Sequence, residues 1–338
     1  MVVSPGLARG IFTSYFVLII ALFILILGSL QRRISSIGRV PPSALVFGAL
    51  AVGSFYHTWY YMIKFLEWSF HDFESRQLIL EKSLLDRVTQ WLMGTDLFEQ
   101  AWRHVCEGPL NWWWSQQLCI LTVGVWTTFL FAQGSQRRIP FVWAYMLLGQ
   151  LVAISVATNI FFAAVILYDD LPSERKSKSR PPSRTTQVPA GVYLPIFLSH
   201  LTILLSPSVA QPDCKWFLPN LLTMHLLIVL PLFNVRYRPV TENRSSLSLG
   251  TFYIVLAALA FIPRAQTYLS LPYQDLSSLV PQLLETLYSH PAQGSIGFDV
   301  VWTTASFTLY CAVAGGLGLG LLGLVSPGLA LYLDTDHH

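Results

Sequence analysis

The feature that most limits this chain is a series of long apolar stretches separated by short polar ones. About 20 consecutive apolar residues cross a hydrocarbon core of about 30 Å. Eight stretches approach that measure, near 11–30, 43–65, 112–133, 140–167, 192–210, 216–234, 247–264 and 298–324. In lipid every backbone N–H and C=O must be satisfied within the protein, so only helices and closed barrels can span. Barrel-type alternation is lacking, and the expected fold is therefore all-α: a polytopic membrane helical bundle of about eight transmembrane helices. Composition agrees, with 53% hydrophobic and 12% charged residues in 338, against roughly 25% charged in soluble domains.

The ends of the fifth and seventh stretches are blurred by Pro195, Pro207 and Pro263. The first stretch is followed by QRR (31–33) without a small-residue cleavage pattern, so it reads as a retained helix. Orientation follows from basic residues in the loops. With eight spans, the N-terminus, 66–111, 168–191, 235–246 and the C-terminus share one side and hold 13 Lys and Arg, against 7 in the opposite loops. That side is expected to be cytosolic, with both termini on it. The four cysteines form no disulfide framework, and the sequon at Asn243 falls in a loop expected to be cytosolic.

Outside the spans, 76–105 mixes apolar and charged residues at helical spacing and reads as an amphipathic cytosolic pair broken near Gly94-Thr95. The polar, proline-rich segment 168–191 reads as a flexible basic linker. The loop 265–297 carries a weak amphipathic stretch at 276–289 suited to a lid. No repeat relates the two halves, which argues against a transporter built from inverted repeats.

Two polar stripes carry the chemistry. His57, Tyr60, Lys64, Glu67 and His71 share one helical face of the second span, and Asp299, Trp302, Thr303, Ser306 and Tyr310 share one face of the last. Ionisable groups at membrane depth are costly and are functional candidates by default. Glu67 is either a buried proton donor beside Trp68 and the 112–114 tryptophans, or an interface residue paired with Lys64. Asp299 is either a general acid or an acid favoured at a helix N-terminus by the helix dipole. His57 and His225 could orient an acid or relay a proton, or make interhelical hydrogen bonds. Asn159 and Ser155, at i and i+4 on the fourth span, suit interhelical contacts.

Among chemical motifs, HExxH, paired CxxC, P-loop and GxGxxG patterns are missing, and Asp169-Asp170 does not extend into an aspartate-rich diphosphate motif. No metal, cofactor or nucleic acid is expected. The stretches YHTWYYMIKFLEWSF (56–70), NWWWSQQLCILTVGVWTTFL (111–130), RRIPFVWAYMLLGQLVAIS (137–155) and SIGFDVVWTT (295–304) resemble fungal integral-membrane terpene cyclases of meroterpenoid pathways, of the ascochlorin, ascofuranone and macrophorin kind. The similarity covers most spans but not 168–191.

That resemblance implies cyclisation of a prenylated, farnesyl-type precursor. A protonated carboxyl opens an epoxide or protonates an olefin, and internal alkenes trap the cation. It further implies an endoplasmic reticulum membrane and neighbouring pathway enzymes as partners. Glu67, Asp299, His57 and His225 are then the catalytic candidates, and Tyr60, Trp112, Gln116, Asn159 and Trp302 the substrate-binding ones. Under the eight-span topology Glu67 and Asp299 lie toward opposite faces, so one site cannot use both unless a helix end dips into the membrane. That topology favours a pocket in the cytosolic half around Glu67. The competing expectation is a transporter or exporter of a hydrophobic metabolite; a non-catalytic scaffold is a third.

Overall fold

The computed structural model describes residues 4–76, 83–169, 186–211, 213–233, 246–271 and 275–334. Those residues are almost wholly helical, as the apolar periodicity requires. Among the described residues five helices are long and apolar enough to cross a membrane: Pro5–Ile37, Pro109–Arg137, Ala190–Val209, Leu249–Ser270 and Pro291–Val325. These features are consistent with a membrane protein. The linker expected at 168–191 falls mostly outside the described residues.

In chain order the helices are α1 (Pro5–Ile37), α2 (Pro42–Ser75), α3 (Leu84–Gly94), α4 (Leu97–Cys106), α5 (Pro109–Ile120), α6 (Thr127–Arg137), α7 (Val142–Leu151), α8 (Ile154–Asp169) and α9 (Ala190–Val209). Then come α10 (Phe217–Phe233), α11 (Leu249–Ser270), α12 (Leu276–Ser289), α13 (Pro291–Val325) and α14 (Pro327–Asp334). A π-helical turn, Leu121–Trp126, joins α5 to α6 without interrupting the rod. Two three-residue strands, β1 (Gln187–Pro189) and β2 (Ser246–Ser248), pair antiparallel and tie together the starts of α9 and α11.

Side-chain contacts fix which helix ends lie together. At one end Trp68 and His104 meet His290, with the two histidine ring centroids 3.5 Å apart. The same end holds the Trp114 indole donating to Leu283 O, and Arg103 donating to the carbonyls after α9. At the other end Phe47 packs on Phe162 and Tyr310, and Arg137 pairs with Asp169. Named from these residues, the Trp68 end and the Arg137 end are joined by α1, α2, the α5–α6 rod, α9, α10, α11 and the first part of α13.

The fourth apolar stretch does something else. Residues 140–167 are expected as one span, but they form two half-helices, α7 and α8, lying antiparallel. Gly149 fits against Ile154 and Ala157, and Tyr145 stacks edge-on to Phe161 at 5.0 Å. Arg137, just before the pair, donates to Asp169 at its end at 2.7 and 3.0 Å. Both ends of the hairpin therefore sit at the Arg137 end, and its tip at Val152-Ala153 stops inside the bundle. α13 likewise kinks at Gly315 and Gly316, the latter at φ 82°, and its last turns fold back so that Gly323 meets Cys311. Only glycine adopts that left-handed conformation without strain.

Within 83–106, α3 and α4 break at Thr95-Asp96 and cover the Trp68 end. The expected lid, α12, packs through Leu279 and Leu283 on Leu271, Leu110 and Trp113.

Candidate functional site: an acid at the tip of a broken helix pair

A half-helix that stops inside a protein leaves its terminal N–H and C=O groups without intrahelical partners. Here two long-range side chains supply them. The Asp299 carboxylate accepts from Ile154 N at 2.9 Å and from Ser155 N at 2.7 Å, capping the first turn of α8. The Tyr15 hydroxyl donates to Leu151 O at 2.5 Å, closing the last turn of α7. Thr303 Oγ1 lies 3.4 Å from Asp299 Oδ1. Asp299 is 6% exposed, about 12 Å along α13 from Pro291 at 1.5 Å per residue. Asp299 therefore does not stand at the N-terminus of its own helix, as the dipole reading expected, and instead accepts from the N-terminus of α8.

Above this tip lies a cavity of about 600 Å³, within the 300–1,000 Å³ range of small-molecule sites. Its floor is Gly149 to Ile154. Its walls come from α1 (Phe12, Tyr15, Phe16), α2 (Thr58, Trp59, Phe65), α5 and the π turn (Leu118, Cys119, Thr122), α10 (Met224, His225) and α13 (Ser295, Asp299). Its roof is α4, with Phe98, Glu99 and Trp102. A π turn inside a helix is frequent at functional sites, and this one turns Thr122 and Val123 toward the cavity.

His225 shares the cavity with Asp299. Its Nδ1 lies 2.8 Å from Leu221 O, so Nδ1 donates and Nε2 carries a lone pair. Phe98 and Trp102 hold the ring edge-on at 5.8 and 5.6 Å. Gln150, at the hairpin tip, donates to His225 O at 3.1 Å, which fixes α10 against the floor. Glu99 also lines the cavity but is held by Arg103 at 2.5 Å.

The other expected candidates lie outside the cavity lining. Glu67 is half exposed and bonded to Lys64 at 2.8 Å. His57 accepts from Trp302 Nε1 at 3.2 Å and lies on Phe298 at 4.0 Å, on the outer side of α2. Tyr60 is exposed, while Trp112, Gln116 and Asn159 are buried in helix contacts. Asn159 Nδ2 donates to Ser155 O at 2.9 Å within its own helix.

The conflict between the two acids changes form. α2 and α13 run antiparallel, with Tyr61 against Gly294, His57 against Phe298 and Gly53 against Trp302. In that register Glu67 lies toward the Trp68 end, level with residue 288, about 16 Å along the axis from Asp299. The acids share one half of the bundle but not one site: Asp299 lines the cavity and Glu67 does not.

Sequence reasoning missed the α4 roof and the aromatic wall from α1. Trp59 was separable, since a tryptophan inside a span is not explained by an interfacial belt; Tyr15 and Trp102 had no such mark. Among the described residues no cluster of three or more His, Cys, Asp or Glu side chains forms a metal-ligand set. Comparison with family models, curated proteins and solved structures gave no match.

Proposed function

We propose that the chain is a membrane-embedded terpene cyclase in which Asp299 is the acid. The observation that carries this reading is one carboxyl fixed by two backbone N–H groups on the wall of a closed-floored, aromatic-lined cavity. Both bonds are accepted by oxygen lone pairs, so the carboxyl keeps its position whether it carries a proton or not. With Oδ1 taken by Ser155 and Thr303 and one lone pair of Oδ2 by Ile154, one position on Oδ2 remains for a transferable proton.

That proton passes to the epoxide oxygen or terminal olefin of a prenylated chain. The C–O bond opens, or the π bond is consumed, and a carbocation forms. Internal alkenes attack it in turn, closing C–C bonds. A final C–H proton returns to Asp299, directly or by way of the His225 Nε2 lone pair, so the acid is restored and the sequence is a net isomerisation. Ring faces of Trp59, Trp102, Phe12 and Phe16 suit a cation that must be kept from water. The resemblance at residues 56–70 and 295–304 points the same way.

The two ends of the bundle support a membrane placement. We infer seven crossings and a re-entrant α7–α8 hairpin in place of the eight spans expected from the sequence. Segments joining helices at the Arg137 end carry 13 Lys and Arg, and those at the Trp68 end carry 6. By the positive-inside rule the Arg137 end is cytosolic. α1 therefore starts on the opposite face, and α3–α4 lies there too, which reverses the cytosolic placement expected for both. An endoplasmic reticulum membrane and pathway enzymes as neighbours rest on the resemblance. A sequon engineered into the α3–α4 turn should be glycosylated while Asn243 is not; the opposite pattern overturns the topology.

A transporter is the second reading, favoured by one observation: half-helix ends meeting inside the bundle, as in discontinuous transporter helices. Microsomes given an epoxidised farnesyl phenol separate the two. A cyclised isomer of equal mass that disappears in Asp299→Asn supports the cyclase; movement of unchanged solute across proteoliposomes supports the transporter.

A further inference from the structure

The hairpin fills only the Arg137 half of the bundle between α1 and α10. Below its tip, α7 packs on both helices. Above the tip α7 has ended, and α1 and α10 are not a packed pair. The space between them is the cavity, walled by Phe12 and Tyr15 on one side and Met224 and His225 on the other. Its mouth is marked by residues that both line the cavity and face outward. Ile11 is 58% exposed and Phe98 is 42% exposed, and the third such residue is Asp96.

Asp96 stands at the N-cap of α4, yet its side chain makes no capping bond. Its carboxylate has no ion pair or hydrogen-bond partner among the described residues. The neighbouring acid on α4, Glu99, is held by Arg103 and leaves no cation of that pair for Asp96. The mouth thus combines two apolar flanks with a carboxylate that makes no ion pair. From Leu66 to Thr58 the lining of α2 runs eight residues toward Asp299, or about 12 Å.

We propose that the cavity fills sideways from the bilayer, tail first, through the gap between α1 and α10, and that Asp96 at the mouth selects neutral or cationic hydrogen-bond-donating head groups over anionic ones. The inference rests on reading the cavity as a ligand chamber, not on cyclisation. An apolar tail partitions into lipid beside Ile11 and Phe98 and slides toward the floor without crossing water. A hydroxyl left at the mouth donates to the Asp96 carboxylate, a charge-assisted bond. A phosphate there meets a like charge and is repelled.

The test uses the full chain in nanodiscs, with farnesol and farnesyl phosphate as probes and quenching of tryptophan fluorescence as the readout. Because it measures binding alone, it succeeds or fails independently of turnover, which Asp299→Asn reports. The expected result is farnesol binding about tenfold tighter than farnesyl phosphate, with the phosphate's deficit shrinking as salt rises. Asp96→Asn should narrow the ratio to within about threefold, and Asp96→Lys should invert it. Ile11→Trp should slow farnesol binding with little change in the far-ultraviolet circular dichroism. Equal affinity of the wild-type protein for the two probes, at low and high salt alike, overturns the selection. A ratio unchanged in Asp96→Asn overturns the role of Asp96, and an unaltered on-rate in Ile11→Trp overturns the route.

Discussion

Two helices carry polar stripes of the same spacing, and the bundle turns them in opposite directions. On α13 the stripe of Asp299, Thr303, Ser306 and Tyr310 is buried, and Asp299 closes the end of another helix. On α2 the stripe of Tyr60, Lys64, Glu67 and His71 faces outward, while Thr58, Phe65 and Ser69 on the opposite face are buried. Spacing establishes that residues share a face; it does not say whether the face is inside. What separates the two is the partner each acid finds. Glu67 finds a lysine three residues away, and Asp299 finds two N–H groups that no intrahelical carbonyl can reach.

The largest effect should come from the inward acid. Asp299→Asn should cut turnover by about 10²–10⁴-fold, the range for loss of a general acid, with the protein still inserted. Product analysis of microsomes checks this, and near-normal product would remove Asp299 from the chemistry. Asp299→Ala should also lower the melting temperature, because two buried N–H groups lose their acceptor at about 1–3 kcal/mol each.

His225→Phe sharpens the role of the cavity wall. It should lower turnover by about tenfold, less than the acid does, and leave the melting temperature within a few degrees. A loss as deep as that of Asp299→Asn would make His225 an equal partner.

A pH scan probes the start of the helix that bears the inner stripe. Burial, with the His104 ring adding to it, holds His290 down at about 4; burial lowers His104 as well. Below pH 6.5 an unfolded chain takes up protons that the folded pair refuses. The contribution of this contact is therefore complete above about pH 6.5 and declines as pH falls toward 4. Melting temperatures across that window should show the decline, and His290→Gln should flatten it. A profile identical in the two proteins would show that the contact carries none of the pH dependence.

The smallest effect belongs to the outer stripe. Lys64 and Glu67 form an exposed pair at 2.8 Å, and pairs of this kind contribute little. Glu67→Gln should leave turnover within about twofold and thermal stability unaltered. A deep loss would collapse the distinction between the stripes.

Much of the helical framework was legible. The five long apolar helices fall where hydropathy places them, and the break in 76–105 lies beside Gly94-Thr95, with the Ser83 hydroxyl capping the start of the first half. The hairpin was not legible. Residues 140–167 are apolar throughout, and Val152-Ala153 carries no proline or glycine to mark a break. The group that ends α8 is Asp299, 145 positions along the chain. Conversely Pro195, Pro207 and Pro263 suggested helix ends and sit inside α9 and α11. Local sequence reports local cost, whereas this hairpin is decided by partners supplied from α1 and α13.

That distance sets an order on the making of the protein. While the ribosome works from residue 154 to residue 299, the tip has no acid to close it. At about 5–20 residues per second that interval lasts roughly 7–30 s. During it, 140–167 is a stretch of lipid-compatible chain with no reason to stop half-way. The newborn segment must either wait as a hairpin closed by Arg137 and Asp169 or pass through and be drawn back. The docking of Asp299 is thus a late step of biogenesis, and the cavity floor is closed only once it is done.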